Sequence, residues 1–179
     1  SFAFWAKRTN STDTMHVFGR TGAGASSYYS RITLDGAAST LVIETDTNGD
    51  EAYATITNDT NWHHYVITVS SGTVAMYQDG VALTMTDSAL VTGGSSDNIT
   101  IDAIGGGGNA FRYNGQIYQA AIWNIALSAS AISTIYNSGI PVTVKQDTGN
   151  YINSDALLHL WRFSEGTGTV TSDSAGNLT

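Results

Sequence analysis

Apolar residues along this chain recur mostly at alternate positions, in short runs broken by Gly, Asn, Asp and Ser. A period of two is the mark of strands with one buried face. The clearest stretch covers residues 61–83. Asn61-Trp62-His63-His64-Tyr65-Val66-Ile67-Thr68-Val69 leads through Ser70-Ser71-Gly72 into a second run, and Asp79-Gly80 is placed to turn the chain. Tyr65, Ile67 and Val69 line one face of its first strand. Residues 1–7 are apolar on both faces, which predicts a strand central in its sheet. Further strands are predicted over 15–20, 28–34, 98–104 and 116–123, with a polar Gly-rich loop over 21–27. Residues 40–47 and 50–57 flank Asn48-Gly49, the strongest hairpin signal, because Asn-Gly supplies the two positive φ angles of a type I′ turn. Leu41, Ile43 and Thr45 share one face there, and Glu44 and Asp46 the other. A two-residue turn at Asn48-Gly49 puts Asp46 opposite Glu51.

One short helix is predicted over 128–138. Ser128 is its N-cap, Ile132, Ile135 and Tyr136 form its apolar face, and Gly139 is its left-handed stop before Pro141. Residues 141–156 read as a connector, and Leu157 to Phe163 as a last strand. The pattern predicts an all-β fold, a sandwich or barrel of short strands.

Composition agrees. The chain has 179 residues, enough for one sizeable domain, and is 41% hydrophobic and 12% charged. The formal net charge of −8, with Lys and Arg totalling 7, speaks against nucleic acid and anionic membranes as partners. With no cysteine, disulfides, zinc-thiolate sites and thiol catalysis are excluded. A strand beginning at the first residue leads to the expectation that further residues precede it.

The order and spacing of several segments resemble laminin-G-like domains of the concanavalin A-like lectin/glucanase superfamily. Trp62-His63-His64-Tyr65 with Tyr77-Gln78-Asp79-Gly80 is similar to the family's WHHV…YVDG hairpin. Ser1 to Arg8 is similar to its SFSFWVKR strand, and Ile104-Gly105-Gly106 with residues 111–136 to its closing segment. Two positions depart: Ile117-Tyr118 stands where the family often has Ile-Asp, and Ala131 where it usually has Glu. The resemblance implies a two-sheet antiparallel jelly roll over residues 1–140 that lacks its first strand upstream. Residues 157–179 resemble that missing first strand. Either they begin a following repeat, the favoured expectation, or they supply a closing strand to this domain. A sandwich followed by such a Leu-Trp-Arg segment resembles arrays in phage and marine viral structural proteins, which implies an extracellular or virion-surface setting.

Three groups of residues invite chemistry. Asp46, Asn48, Asp50 and Glu51 offer oxygen ligands at a hairpin tip, so Ca²⁺ is a candidate there, although no cofactor is required. Like charges at Asp46 and Glu51 supply the motive. Tyr28, Tyr29 and Arg31, and Asn109, Arg112 and Tyr113, combine aromatic faces with hydrogen-bond donors, the means of holding a sugar. The structural alternative is that these aromatics pack inside, as is expected of Trp5, Trp62, Trp123 and Trp161. Glu44 and Asp46 share a face in the manner of a glycosidase strand, but Gly49 stands where the third carboxylate belongs, so no catalytic residue is assigned. His63 and His64 are adjacent in a strand and point apart, so they cannot chelate one ion together.

The function expected is non-catalytic: recognition or adhesion, with a glycan or protein surface bound through rim loops. The alternatives are a structural capsid or fibre domain, partnered by neighbouring copies or repeats, and a degenerate glycoside hydrolase.

Overall fold

The computed structural model describes residues 1–19, 31–44, 51–90, 113–166 and 171–175, and the backbone course of 103–104. Among the described residues, twelve strands form two six-stranded sheets. In the first sheet, β1 (Phe2–Arg8) lies between β11 (Gly115–Trp123) and β6 (His63–Ser70). Beyond β6 come β7 (Thr73–Gln78) and β8 (Val81–Ala82), and beyond β11 comes β12 (Leu157–Trp161). The second sheet runs β10 (Ala103–Ile104), β2 (Thr14–Gly19), β3 (Arg31–Asp35), β4 (Thr40–Glu44), β5 (Glu51–Thr55) and β9 (Met85–Asp87). Every strand pairing is antiparallel.

The main core lies between the sheets. Phe2, Phe4 and Ala6 enter it from β1, and Phe18, Ile32, Leu34, Leu41 and Ile43 from the second sheet. Ring contacts knit it: Phe4 meets Phe18 edge-on at 5.5 Å and stacks on Tyr65 at 5.4 Å. The alternate residues of β1 point the other way. Ala3 joins a second core made with Val66, Ala121, Trp123, Leu160 and the helix α1 (Ala129–Tyr136). This is why β1 is apolar on both faces: the helix covers the sheet's outer side.

Ser128 caps α1 by accepting from Ala131 N–H at 3.2 Å. The helix stops earlier than the glycine suggested, because Asn137 and Ser138 already take left-handed conformations at φ 47° and 54°. Asn tolerates that region better than most residues. The β6–β7 and β7–β8 turns are tight, with positive φ at Ser71-Gly72 and at Asp79-Gly80.

Two segments toward the C-terminal end pack against the first sheet. Leu157–Trp161 is a strand of this sandwich, pairing with β11 at the sheet edge, so a following repeat does not describe residues 157–161. Burial of Leu157 and Leu160 in the second core is the physical reason. The segment 141–156 is more than a connector. Val144 and Tyr151 are buried there, and Trp123 Nε1–H donates to Tyr151 Oη, which donates to Val144 O.

Candidate functional site

The two sheets differ on their outer sides. Helix α1 and residues 142–157 pack on the first sheet. Among the described residues, no helix or strand packs on the outer face of the second. The strand registers spell out that face. Thr14, Asp35, Thr40 and Thr55 form one row across β2 to β5, and His16, Thr33, Val42 and Tyr53 the next. Arg31, Glu44 and Glu51 complete it, while the intervening Leu34, Ile32, Leu41 and Ile43 fill the core. A cavity of about 130 Å³ opens on this face, lined by residues that include His16, Arg31, Thr33, Asp35 and Glu44.

Its floor is part fixed and part unspent. Arg31 grips both oxygens of Glu44: Nη2 donates to Oε1 at 2.7 Å, and Nε donates to Oε2. Such a fork is stronger and more directional than a lysine contact. Thr14 Oγ1 donates to Asp35 Oδ1 at 2.9 Å, and the same oxygen accepts from Ala37 and Ala38 N–H. Thr33 is different. Its residue is 4% exposed, and its hydroxyl is buried with no hydrogen-bond partner. A buried polar group left unpaired is costly, and such groups cluster where a ligand or water completes them.

Of the predicted site residues, Arg31 lies on this face. Glu51 is on it too, but its ladder partner is Glu44, not Asp46. The like-charge pair therefore forms two residues away from the expected place, and Arg31 already neutralises its Glu44 member. That removes the electrostatic motive for Ca²⁺ argued from Asp46. Tyr113 is placed elsewhere, packed against the main core, where burial raises its hydroxyl pKa. Tyr28, Tyr29, Asn109, Arg112, Asp46, Asn48 and Asp50 lie outside the described residues.

The histidines of the WHHY segment diverge. His63 faces the interior side at the sandwich end and is clamped by two carboxylates: Nδ1 to Asp79 at 2.6 Å and Nε2 to Asp59 at 2.9 Å. The hydrogen bond to Asp79 raises its pKa against the effect of burial, and Asp59 adds to the rise. His64 lies under the helix side, between Trp5 and Tyr136, and burial lowers its pKa to about 4. Asp79 also accepts His64 N–H at 2.9 Å. The same device recurs on β12, where Asp173 takes His159 Nδ1 at 2.9 Å and Leu160 N–H at 2.8 Å. These clamps are structural.

Sequence reasoning missed the Thr33 hydroxyl and misplaced Trp62. Trp5 and Trp123 are buried and Trp161 half-buried, but Trp62 is 41% exposed. No sequence signal marked Thr33, since an orphaned hydroxyl depends on its neighbours across two strands.

A family model described as the concanavalin A-like lectin/glucanases superfamily, of laminin-G type, matches residues 1–133. No curated protein matches the chain significantly. Among solved structures, a candidate carbohydrate-binding protein from Bacteroides ovatus superposes with a TM-score of 0.64 at 15% identity, over 98% of this chain and 50% of its own. The chain thus spans about half the length of that protein. The CBM40 of Ruminococcus gnavus IT-sialidase, bound to α2,6 sialyllactose, gives 0.57 at 10% identity over 76% of this chain and 82% of its own. The heptameric SAP-like pentraxin of Limulus polyphemus gives 0.56 at 18% identity over 97% and 79%. At these identities the likeness is one of fold.

Proposed function

The chain belongs to the concanavalin A-like lectin/glucanases superfamily, and from that premise we propose that it is a non-catalytic glycan-recognition module. The observation that carries the reading is the unpaired Thr33 hydroxyl in the floor of a polar cavity on the second sheet. A sugar hydroxyl entering the cavity pairs with Thr33 Oγ1, while the fixed Arg31–Glu44 fork offers its remaining lone pairs and N–H groups to neighbouring hydroxyls. Tyr53, in the same row, adds a half-buried ring beside them. The carbohydrate-binding protein and the sialyllactose-bound module among the structural relatives support the ligand class. The setting we propose is an extracellular or virion surface, where the module belongs to a larger protein.

A hydrolase is disfavoured. Both oxygens of Glu44 are engaged by Arg31, and a retaining mechanism needs two carboxyl groups about 5 Å apart, one of them a free nucleophile. The test is a glycan array, followed by titration of the best hit against wild type, Thr33→Val and Arg31→Met. Thr33→Val keeps the shape and removes the hydroxyl. Affinity is expected to fall about tenfold for Thr33→Val, in keeping with one lost hydrogen bond to a buried group. Equal affinity for all three proteins would overturn the placement of the site.

A further inference from the structure

The outer face of the first sheet is not fully covered by the helix. Along the β1–β11 ladder, Trp5 pairs with Tyr118 and Lys7 with Gln116, with the Ala6–Ile117 rung between them. Side chains two apart on a strand share a face, so these four residues form a strip. A cavity of about 250 Å³ lies over the first rung, bounded by Trp5, Trp62 and Tyr118 and closed by Gly139 and Pro141. A wider cavity of about 580 Å³ lies over the second, with Lys7, Asn61, Asn114 and Gln116 in its lining. Asn61 and Trp62 are consecutive, so the aromatic and the polar hollow adjoin.

Three observations point to one kind of occupant. The aromatic half presents flat apolar faces, including the 41% exposed ring of Trp62. Such faces stack on the C–H side of a pyranose. The polar half offers to hydroxyls the Gln116 amide and the remaining amide groups of Asn61 and Asn114, whose Nδ2–H and Oδ1 are engaged by Asp59 and Thr9 respectively. Its charge is the third. The chain carries 15 acidic residues against 7 basic ones, yet among the described residues no acidic one lines either cavity, whereas Lys7 and Arg8 both line the second. Among the described residues no carboxylate pairs with Lys7. Arg8 is 3% exposed, and both its terminal nitrogens are buried without a partner. Asp59, two residues before Asn61, is turned to His63 and Asn61. Lys7 is thus a cation facing the strip with no carboxylate paired to it among the described residues, while Arg8, the next residue, points to the interior side beside Tyr65 and Tyr113.

We propose that this strip is a second binding site, for a sugar residue that bears a carboxylate. The ring lies on Trp62 and Tyr118, and the carboxylate faces Lys7. The site is separate from the cavity on the second sheet and does not share a residue with it.

The experiment uses matched probes and the full chain. Sialyllactose against lactose, and a glucuronate-containing oligosaccharide against its carboxyl-reduced form, are titrated while tryptophan fluorescence is followed. Wild type is expected to bind at least one acidic probe more tightly than its neutral partner, with a change in Trp62 emission. Trp62→Ala is expected to weaken that probe roughly tenfold, as a central aromatic anchor does. Lys7→Gln is expected to weaken it about threefold and to reduce its salt dependence, as a single exposed ion pair would. Thr33→Val is expected to leave it unchanged. Trp62 is half in solvent, so its variant is expected to melt with wild type, which a thermal scan checks. Equal binding of acidic and neutral partners, no binding of either acidic probe, or an unchanged affinity in Trp62→Ala each overturns the second site. None of these results touches the array hits that depend on Thr33, so the two sites fail separately.

Discussion

The two sheets of this sandwich share a core and differ in what lies on their backs. The first is apolar on both faces: Phe2, Phe4 and Ala6 look inward, and Ala3, Val66 and Ala121 look outward under α1 and the segment 142–157. In the second, β3 and β4 alternate, with Leu34, Ile32, Leu41 and Ile43 inside and Asp35, Arg31, Thr33, Val42 and Glu44 outside. Covering a sheet face with apolar cover stabilises it but leaves nothing to recognise. The second sheet leaves its outer face to polar chemistry, including one hydroxyl with no partner. Stability is thus concentrated where α1 and residues 142–157 cover the first sheet, and recognition is left to the faces they do not cover.

The comparison breaks most visibly by cutting into the covered side. Ile132 is fully buried between α1 and the first sheet. Ile132→Ala is expected to cost about 3 kcal/mol in chemical denaturation, within the range for buried aliphatic truncations. Val42→Ala, half-buried on the recognition face, is expected to cost less than about 1 kcal/mol. Similar losses at both positions would contradict the division.

Acid tests the same side through His64. Its folded pKa, about 4, lies below the unfolded value near 6.5. The folded state therefore resists protonation, and stability is lost as pH falls from about 6.5 toward 4, by a limit of about 3 kcal/mol. His63 works in the opposite sense. Its raised pKa adds stability that is complete below the unfolded value and is lost as pH rises through the folded one. Melting curves of His64→Phe are expected to show a smaller loss between pH 6.5 and 4 than wild type. An unchanged acid limb would place the sensitivity elsewhere.

Tyr151→Phe removes the hydroxyl that links Trp123 Nε1–H to Val144 O, leaving both buried without that partner. A loss of about 1–2 kcal/mol is expected in a denaturant titration. The smallest effect is expected at Thr33→Val, where the hydroxyl has no partner to lose. Its melting temperature is expected to equal or slightly exceed that of wild type while glycan binding falls.

Much of this architecture was legible in the chain. Apolar residues on both faces of residues 1–7 marked a strand covered on both sides, and β1 is central in the first sheet. Ser128 and the Ile132/Ile135 spacing marked the helix. Other features resist reading for physical reasons. Alternation fixes which face a residue takes, but a register shift of two keeps every face unchanged. Glu51 could therefore be set opposite Asp46 or Glu44 with the same pattern, and the Arg31–Glu44 fork accompanies the second. Trp62 was expected to pack because most tryptophans do, yet the chain that passes it at Gly139 and Pro141 leaves a hollow. Tyr151 carried no periodic signal, since it is buried from an irregular segment.

The most direct test of the recognition face is amide chemical-shift mapping of ¹⁵N-labelled protein with the strongest glycan-array hit. The account predicts the largest shifts at Thr14, His16, Arg31 and Thr33, lost in Thr33→Val. Shifts confined to α1 and the Trp62 strip, with β2 to β4 silent, would contradict it.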